Sequence, residues 1–348
     1  MKRIFLLFFS VILFSSCSDK KGTAAVQEFR ISQNLSYQDT NNELLLKSGN
    51  HRYRISKDVL PYKKIMLMNS SLVGYITALG LQQKITGVAN PEYIYSDAVR
   101  QQILSGATVD IGTDQKYDVE KIISMKPDAV FTNYMANFEA TYRLLRDNGI
   151  EVIFLDEYLE QNPLEKTAYI KVFGKLLGAE PKADSIYTDI SRRYEELAKN
   201  ARATQPRPSV LANEMYGGQW YLPGGKTQLA KFIADAGGSY ILSDNPDARA
   251  VPLTFEEVFV RGKDAEFWLN AGNHPSLTSL LNISPNYAKF GAFRNGRVYT
   301  IAGREKEKAN DYFESGVLRA DLVLRDYIKI LHPELLPGVP LVYMKQLH

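Results

Sequence analysis

The sequence predicts an α/β protein of two Rossmann-like lobes, each built on a parallel sheet, joined by a long bridging helix. Three observations carry this expectation. Short apolar runs alternate with segments of helical period over 65–155 and again over 210–331, and strands alternating with helices make parallel sheets with helices on both faces. Residues 164–203 lie between these regions and hold no strand-like run. Their apolar side chains, from Ile170 and Phe173 to Tyr194 and Leu197, recur at helical spacing. The third observation is a repeat. At an offset of 136, Glu120 falls on Glu256, Asp128 on Asp264, Ala129 on Ala265 and Phe131 on Phe267. A helix-then-strand unit written twice reads as one lobe built twice.

The elements follow in order. Residues 1–16 have a signal-peptide layout: Lys2 and Arg3 are basic and 4–14 are apolar apart from Ser10. That run is too short to span a bilayer, which needs about 20 apolar residues. Cys17, the only cysteine in the chain, stands at the cleavage point and cannot form an internal disulfide. Residues 17–42 are polar and read as a tether. The first lobe is expected over 43–160, opening with a hairpin at 44–55 around Ser48-Gly49-Asn50. Its strands are expected at 65–68, 85–88, 109–111, 129–132 and 152–155, with helices between them. The helical bridge covers 161–204, where Pro181 marks a break or the start of a second helix. The second lobe covers 205–348. Its strands are expected at 210–212, 267–269 and 298–301, its helices at 227–236, 254–260 and 313–331.

Composition narrows the function. A net charge of +3 without a long Lys/Arg run argues against a nucleic-acid partner. Gly224-Gly225-Lys226-Thr227 has the end of a phosphate-binding loop, but Trp220 stands where that loop needs its first glycine. There is no G-x-G-x-x-G, G-x-S-x-G or H-E-x-x-H, and His51, His274, His332 and His348 are scattered.

The segment 119–130, with Glu120, Ile122, Pro127, Asp128 and Val130, resembles the E-x-I-x-x-x-x-P-D-x-V stretch of the substrate-binding proteins of ABC importers for iron chelates and cobalamin. Its second-lobe counterpart is looser, with Lys263 in place of the proline. Leu331-His332-Pro333-Glu334 is similar to the family's closing L-H-P-E. The stretch before Cys17 resembles a bacterial lipobox, with Phe14 at the usual leucine position. The resemblance implies a class III periplasmic-binding-protein-like fold and a non-enzymatic carrier with no resident cofactor. It implies lipidation at Cys17 on the periplasmic side of a bacterial membrane, and an importer of two membrane subunits with an ATPase as partner. It further implies that Glu120 and Glu256 dock on arginines of those subunits, with Glu257 a competing candidate. Both glutamates also read as first-turn acids that offset a helix macrodipole, an effect of about 0.3–1 kcal/mol.

The cleft between the lobes is expected at loops that follow the strands. Candidates there are Asn69, Ser70, Tyr93, Tyr95, Tyr117 and Tyr134 in the first lobe, and Trp220, Tyr221, Arg249, Arg304 and Tyr312 in the second. Aromatic walls suit a bulky metal chelate such as a ferric siderophore, heme or cobalamin, and arginines suit its anionic groups. Ordinary packing accounts equally for each aromatic side chain, and a solvated surface for each arginine. A periplasmic transferase or chelatase on the same two-lobe plan, or a surface scavenger without an importer, remains open at this point.

Overall fold

The computed structural model describes residues 27–348. The signal segment, Cys17 and the first part of the expected tether lie outside the described residues. The chain enters as β1 (Glu28–Arg30), β2 (Leu35–Asp39), β3 (Glu43–Ser48) and β4 (His51–Ser56), an antiparallel meander in that order. β3 and β4 form the expected hairpin. β1 and β2 correct the tether expectation, because 28–39 is folded. Leu35 is buried and Tyr37, two residues on, packs against the same core. Ser32 donates to the buried Glu160 at 2.5 Å, and Lys175 pairs with Asp39 at 2.5 Å. A half-buried strand needs an apolar residue only at alternate positions, so the polar composition concealed it.

The first lobe follows: β5 (Ile65–Leu67), α1 (Val73–Ala78), β6 (Ile85–Val88), α2 (Asp97–Leu104), β7 (Val109–Asp110), a short hairpin β8 (Gly112–Thr113) and β9 (Lys116–Tyr117), α3 (Val119–Met125), β10 (Ala129–Thr132), α4 (Glu139–Asp147) and β11 (Glu151–Phe154). Its five-stranded parallel sheet has the order β11-β10-β5-β6-β7. The central strands β5 and β10 are buried along their whole length, as strands covered by helices on both faces must be.

The bridge is two helices. α5 (Pro163–Leu177) stops at Gly178, whose φ of 76° ends the helix in the left-handed conformation. α6 (Glu180–Arg202) then starts with Pro181 in its first turn. α6 crosses between the lobes: Ala183 and Ile190 belong to the first core, Tyr194, Ala198 and Ala201 to the second. At 1.5 Å per residue its 23 residues span roughly 34 Å.

The second lobe comprises β12 (Ser209–Ala212), β13 (Met215–Tyr216), β14 (Gln219–Pro223), α7 (Gln228–Asp235), β15 (Ser239–Tyr240), β16 (Ala250–Leu253), α8 (Phe255–Gly262), β17 (Phe267–Leu269), α9 (Leu277–Leu281), α10 (Gly291–Arg294), β18 (Tyr299–Thr300), β19 (Glu305–Lys306), β20 (Ala309–Asn310), α11 (Ser315–Leu318), α12 (Ala320–Leu331) and β21 (Lys345–Gln346). Its parallel sheet runs β15-β12-β17 and is extended by a Trp268–Val298 bridge. The strands β13, β14 and β16 form a separate antiparallel sheet.

The expected helix 313–331 is broken at Arg319, whose ψ is 58°. Two interactions hold the break. The Arg319 guanidinium donates to both oxygens of the buried Asp321, at 2.8 and 2.9 Å. The turn at Glu314 lies so close on α1 that a Cβ at Gly74 would come 2.2 Å from the Glu314 carbonyl oxygen.

The repeat has a structural counterpart. α3 leads into β10 and α8 into β17, and each of these strands pairs in parallel with the first strand of its lobe, β5 or β12.

Candidate functional site

The loops that leave the C-terminal ends of the strands form the cleft, as the topology of parallel sheets requires. In the first lobe they enclose a cavity of about 550 Å³. After β5 it is lined by Asn69 and Ser70, and after β6 by Asn90, Glu92 and Tyr93. The β8–β9 hairpin adds Thr113, Asp114, Gln115 and Tyr117, and the end of β10 adds Asn133 and Met135. A second cavity of about 430 Å³ adjoins it, sharing Ser70 and Tyr93. Its other wall is the second lobe, through Gly272, Asn273, Glu305, Asn310 and Phe313.

The polar side chains of the first cavity are held from behind. Buried Glu157 accepts hydrogen bonds from Ser71 Oγ at 2.8 Å and Asn133 Nδ2 at 2.9 Å. Asn133 in turn accepts a hydrogen bond from Asn69, whose own Oδ1 accepts from the Ser71 backbone. The Tyr117 ring packs on Phe138, with centroids 4.7 Å apart, and burial pushes its phenol pKa upward, so it stays a neutral donor.

The β19–β20 hairpin and the turn at Glu314 reach across to the first lobe. Lys306 of β19 pairs with Asp97 at 2.6 Å and stands over the Tyr95 ring, 4.4 Å from its centroid. Arg100 pairs with Glu307 at 3.1 Å. Glu314 is buried in this contact and accepts from the Tyr95 and Ser96 amides at 2.6 and 3.0 Å. Burial pushes its pKa up to about 7, although the two amide donors oppose the rise.

The structure sorts the expected cleft residues. Asn69, Ser70, Tyr93 and Tyr117 line the cavities. Tyr95 lies at the lobe–lobe contact. Arg304 is there too, pairing with Asp311 at 3.0 Å and standing over the Tyr95 ring at 5.3 Å. Tyr134 packs on His51 and Phe154 instead. Trp220 is a correction: it is fully buried, donates from Nε1 to the Ala212 carbonyl at 2.9 Å and stacks among Trp268, Tyr287 and Phe290. Tyr221 on the antiparallel sheet and Arg249 just before β16 are exposed and line neither cavity. Tyr312 lines a small cavity of about 110 Å³ behind Phe313, together with Lys166. His274 and Glu214 approach to 2.5 Å beneath Gly272 without lining the cleft.

The cleft residues that the sequence expectations passed over include Asn90, Asn133 and Gln115. A signal was present. Each of the strands β5, β6, β10, β12 and β17 is followed closely by asparagine: Asn69, Asn90, Asn133, Asn213 and Asn270. Three of these have positive φ, at 49°, 56° and 55° for Asn90, Asn213 and Asn270. Asparagine tolerates that conformation better than most residues, so it ends a strand sharply and offers an amide at the strand tip.

Glu120 and Glu256 occupy the same position, the second residue of α3 and of α8, and both are exposed. Asp118 caps α3 and Thr254 caps α8. Glu257 differs: its carboxylate accepts from the Thr254 amide at 2.7 Å and hydroxyl at 2.9 Å, closing a capping box. Both helices run back against the strands that follow them, so their N-termini lie on the cleft side of each lobe.

Residues 65–305 match the periplasmic binding protein family. An uncharacterized lipoprotein of Methanocaldococcus jannaschii is 25% identical over 289 residues, 80% of this chain and 67% of its own. An uncharacterized ABC transporter substrate-binding lipoprotein of Bacillus subtilis is 28% identical over 142 residues, 40% of this chain and 42% of its own. A solved periplasmic heme binding protein from Pseudomonas aeruginosa is similar in fold, with a TM-score of 0.64 at 18% identity, over 82% of this chain and 98% of that one. The matched segment runs through both lobes and the helix that joins them: the chain belongs to the periplasmic binding protein family.

Proposed function

We propose that this chain is the solute-binding lipoprotein of an ABC importer, which captures a metal chelate in the cleft and delivers it to a membrane permease with its ATPase. One observation carries the reading: an exposed glutamate stands at the same helical position on each lobe, on the cleft side. Two matched acids suit a two-fold symmetric membrane partner. Exposed ion pairs contribute only about 0.2–1 kcal/mol each, and they set orientation and encounter rate more than affinity. A carrier that must dock and then leave needs that balance. Glu256 is the second docking acid in this reading, because the Glu257 carboxylate is engaged by its own helix cap.

The names of the relatives support the role, as substrate-binding lipoprotein and heme-binding protein. Cys17, as the lipidated residue, holds the carrier on the periplasmic side. The cargo in this reading is a preassembled chelate, which brings its own donors to the metal.

Visible absorption and fluorescence titration of the purified protein with ferric siderophores, heme and cobalamin test capture. Uptake in a strain that depends on this chain tests docking. Glu120→Ala with Glu256→Ala is expected to lower uptake by up to about thirtyfold and leave ligand affinity unchanged. Uptake that the pair of substitutions leaves untouched would remove the docking assignment.

A further inference from the structure

The charge of the cleft is opposite to what the sequence led one to expect. Arg249 lines neither cavity, and Arg304 is held by Asp311 and by the Tyr95 ring. Among the described residues the 550 Å³ cavity is lined by two carboxylates, Glu92 and Asp114, and by no lysine, arginine or histidine. In the adjoining cavity the one cation among the described residues, Lys308, stands 3.8 Å from Glu92, and Glu305 and Glu314 line the same cavity. Lys166 lies in the separate cavity behind Phe313. What the cleft offers besides acid is neutral hydrogen-bonding groups, the amides of Asn69, Asn90 and Gln115, with Asn133 holding Asn69 in place.

We infer that the cleft selects a neutral or cationic chelate rich in amide and carbonyl groups and rejects anionic ones. This rests on the solute-binding reading above. The chemistry divides the expected cargoes. A ferric tris-hydroxamate and cyanocobalamin carry no net negative charge and present carbonyls and amides that the cleft amides match. A ferric tris-catecholate is a trianion, and heme carries two propionates. Either would bring anionic oxygens against Glu92 and Asp114, where the cation lining the adjoining cavity, Lys308, is already paired with Glu92, and like charges brought together repel. The wall is also preorganised. Glu157 fixes Asn133, and Asn133 fixes Asn69, before any ligand arrives, which lowers the ordering cost of binding.

The test is a titration of the whole mature protein with four probes: a neutral ferric tris-hydroxamate, cyanocobalamin, a ferric tris-catecholate and hemin. Intrinsic fluorescence and visible absorption follow binding at two ionic strengths. At least one neutral probe is expected to bind at least about a hundredfold more tightly than either anionic probe, with little salt dependence. The variant Glu92→Lys with Asp114→Lys changes only side chains on surface loops, and it is expected to narrow or reverse that ratio. A tris-catecholate or hemin that binds as tightly as the neutral probes overturns the inference and leaves the carrier reading standing. Failure of all four probes to bind removes the carrier reading, and this inference with it.

Discussion

At the scale of single residues, the difference between Tyr93 and Trp220 explains what was legible. Both follow a strand, and sequence alone ranks them equally as cleft walls. Tyr93 stays 46% exposed and lines both cavities. Trp220 is turned inward because β14 folds back antiparallel between β13 and β16, which places the indole in the second core. Trp220→Ala is expected to lower stability by about 3–5 kcal/mol without passing through the ligand site, as read by denaturant unfolding. Glu157 gives the opposite pattern. Its removal leaves Ser71 Oγ without this acceptor and Asn133 held only by the Leu155 carbonyl and by Asn69, at roughly 1–3 kcal/mol. Glu157→Ala is expected to weaken ligand binding about tenfold by freeing the amide wall, measured by titration, with partial recovery in Glu157→Gln. An affinity unchanged in Glu157→Ala would show that the wall is not set by this carboxylate.

The hairpin β19–β20 and the turn at Glu314 show how an element differs from its sequence pattern. The apolar spacing over 313–331 suits one helix, yet the segment breaks at Arg319 so that Glu314 reaches the Tyr95 and Ser96 amides of the other lobe. The contact is pH-dependent, and its sign is fixed. Glu314 has its pKa raised to about 7 from 4.5 in the folded chain, so folding favours its protonated form. Its stabilising contribution is complete below about pH 4.5 and is lost as pH rises through 7. The full effect is on the order of 3 kcal/mol. Asp311, Lys306 and the backbone donors of Tyr95 and Ser96 surround it. Thermal unfolding at pH 5 and pH 8 should therefore differ more in the wild type than in Glu314→Gln. Identical pH responses in the two proteins would contradict this account.

For the whole molecule, the deciding feature is α6. Its first half is packed into one core and its second half into the other, and Arg193 near its middle donates to Asp321 of α12 at 2.9 Å. A continuous helix anchored at both ends resists bending more than crossing strands do. Solution scattering with and without ligand should therefore show a change in radius of gyration no larger than about 1 Å. A compaction of several ångströms would mean that α6 bends, and the stiff-bridge picture would fail.

The sequence by itself determined the α/β class, the two copies of the lobe, the helical bridge and the pair of acids at an offset of 136. Each of these is a periodicity or a repeat, and periodicity survives in one dimension because burial on one face is a local demand on spacing. Tertiary structure decided which polar side chains face one another. It made 28–39 a sheet and Trp220 a core residue, bound Arg304 to Asp311, and left a cleft lined by amides and carboxylates. The reason is that the sign of a cleft's field depends on which charges are already paired, and those pairings join residues far apart in the chain.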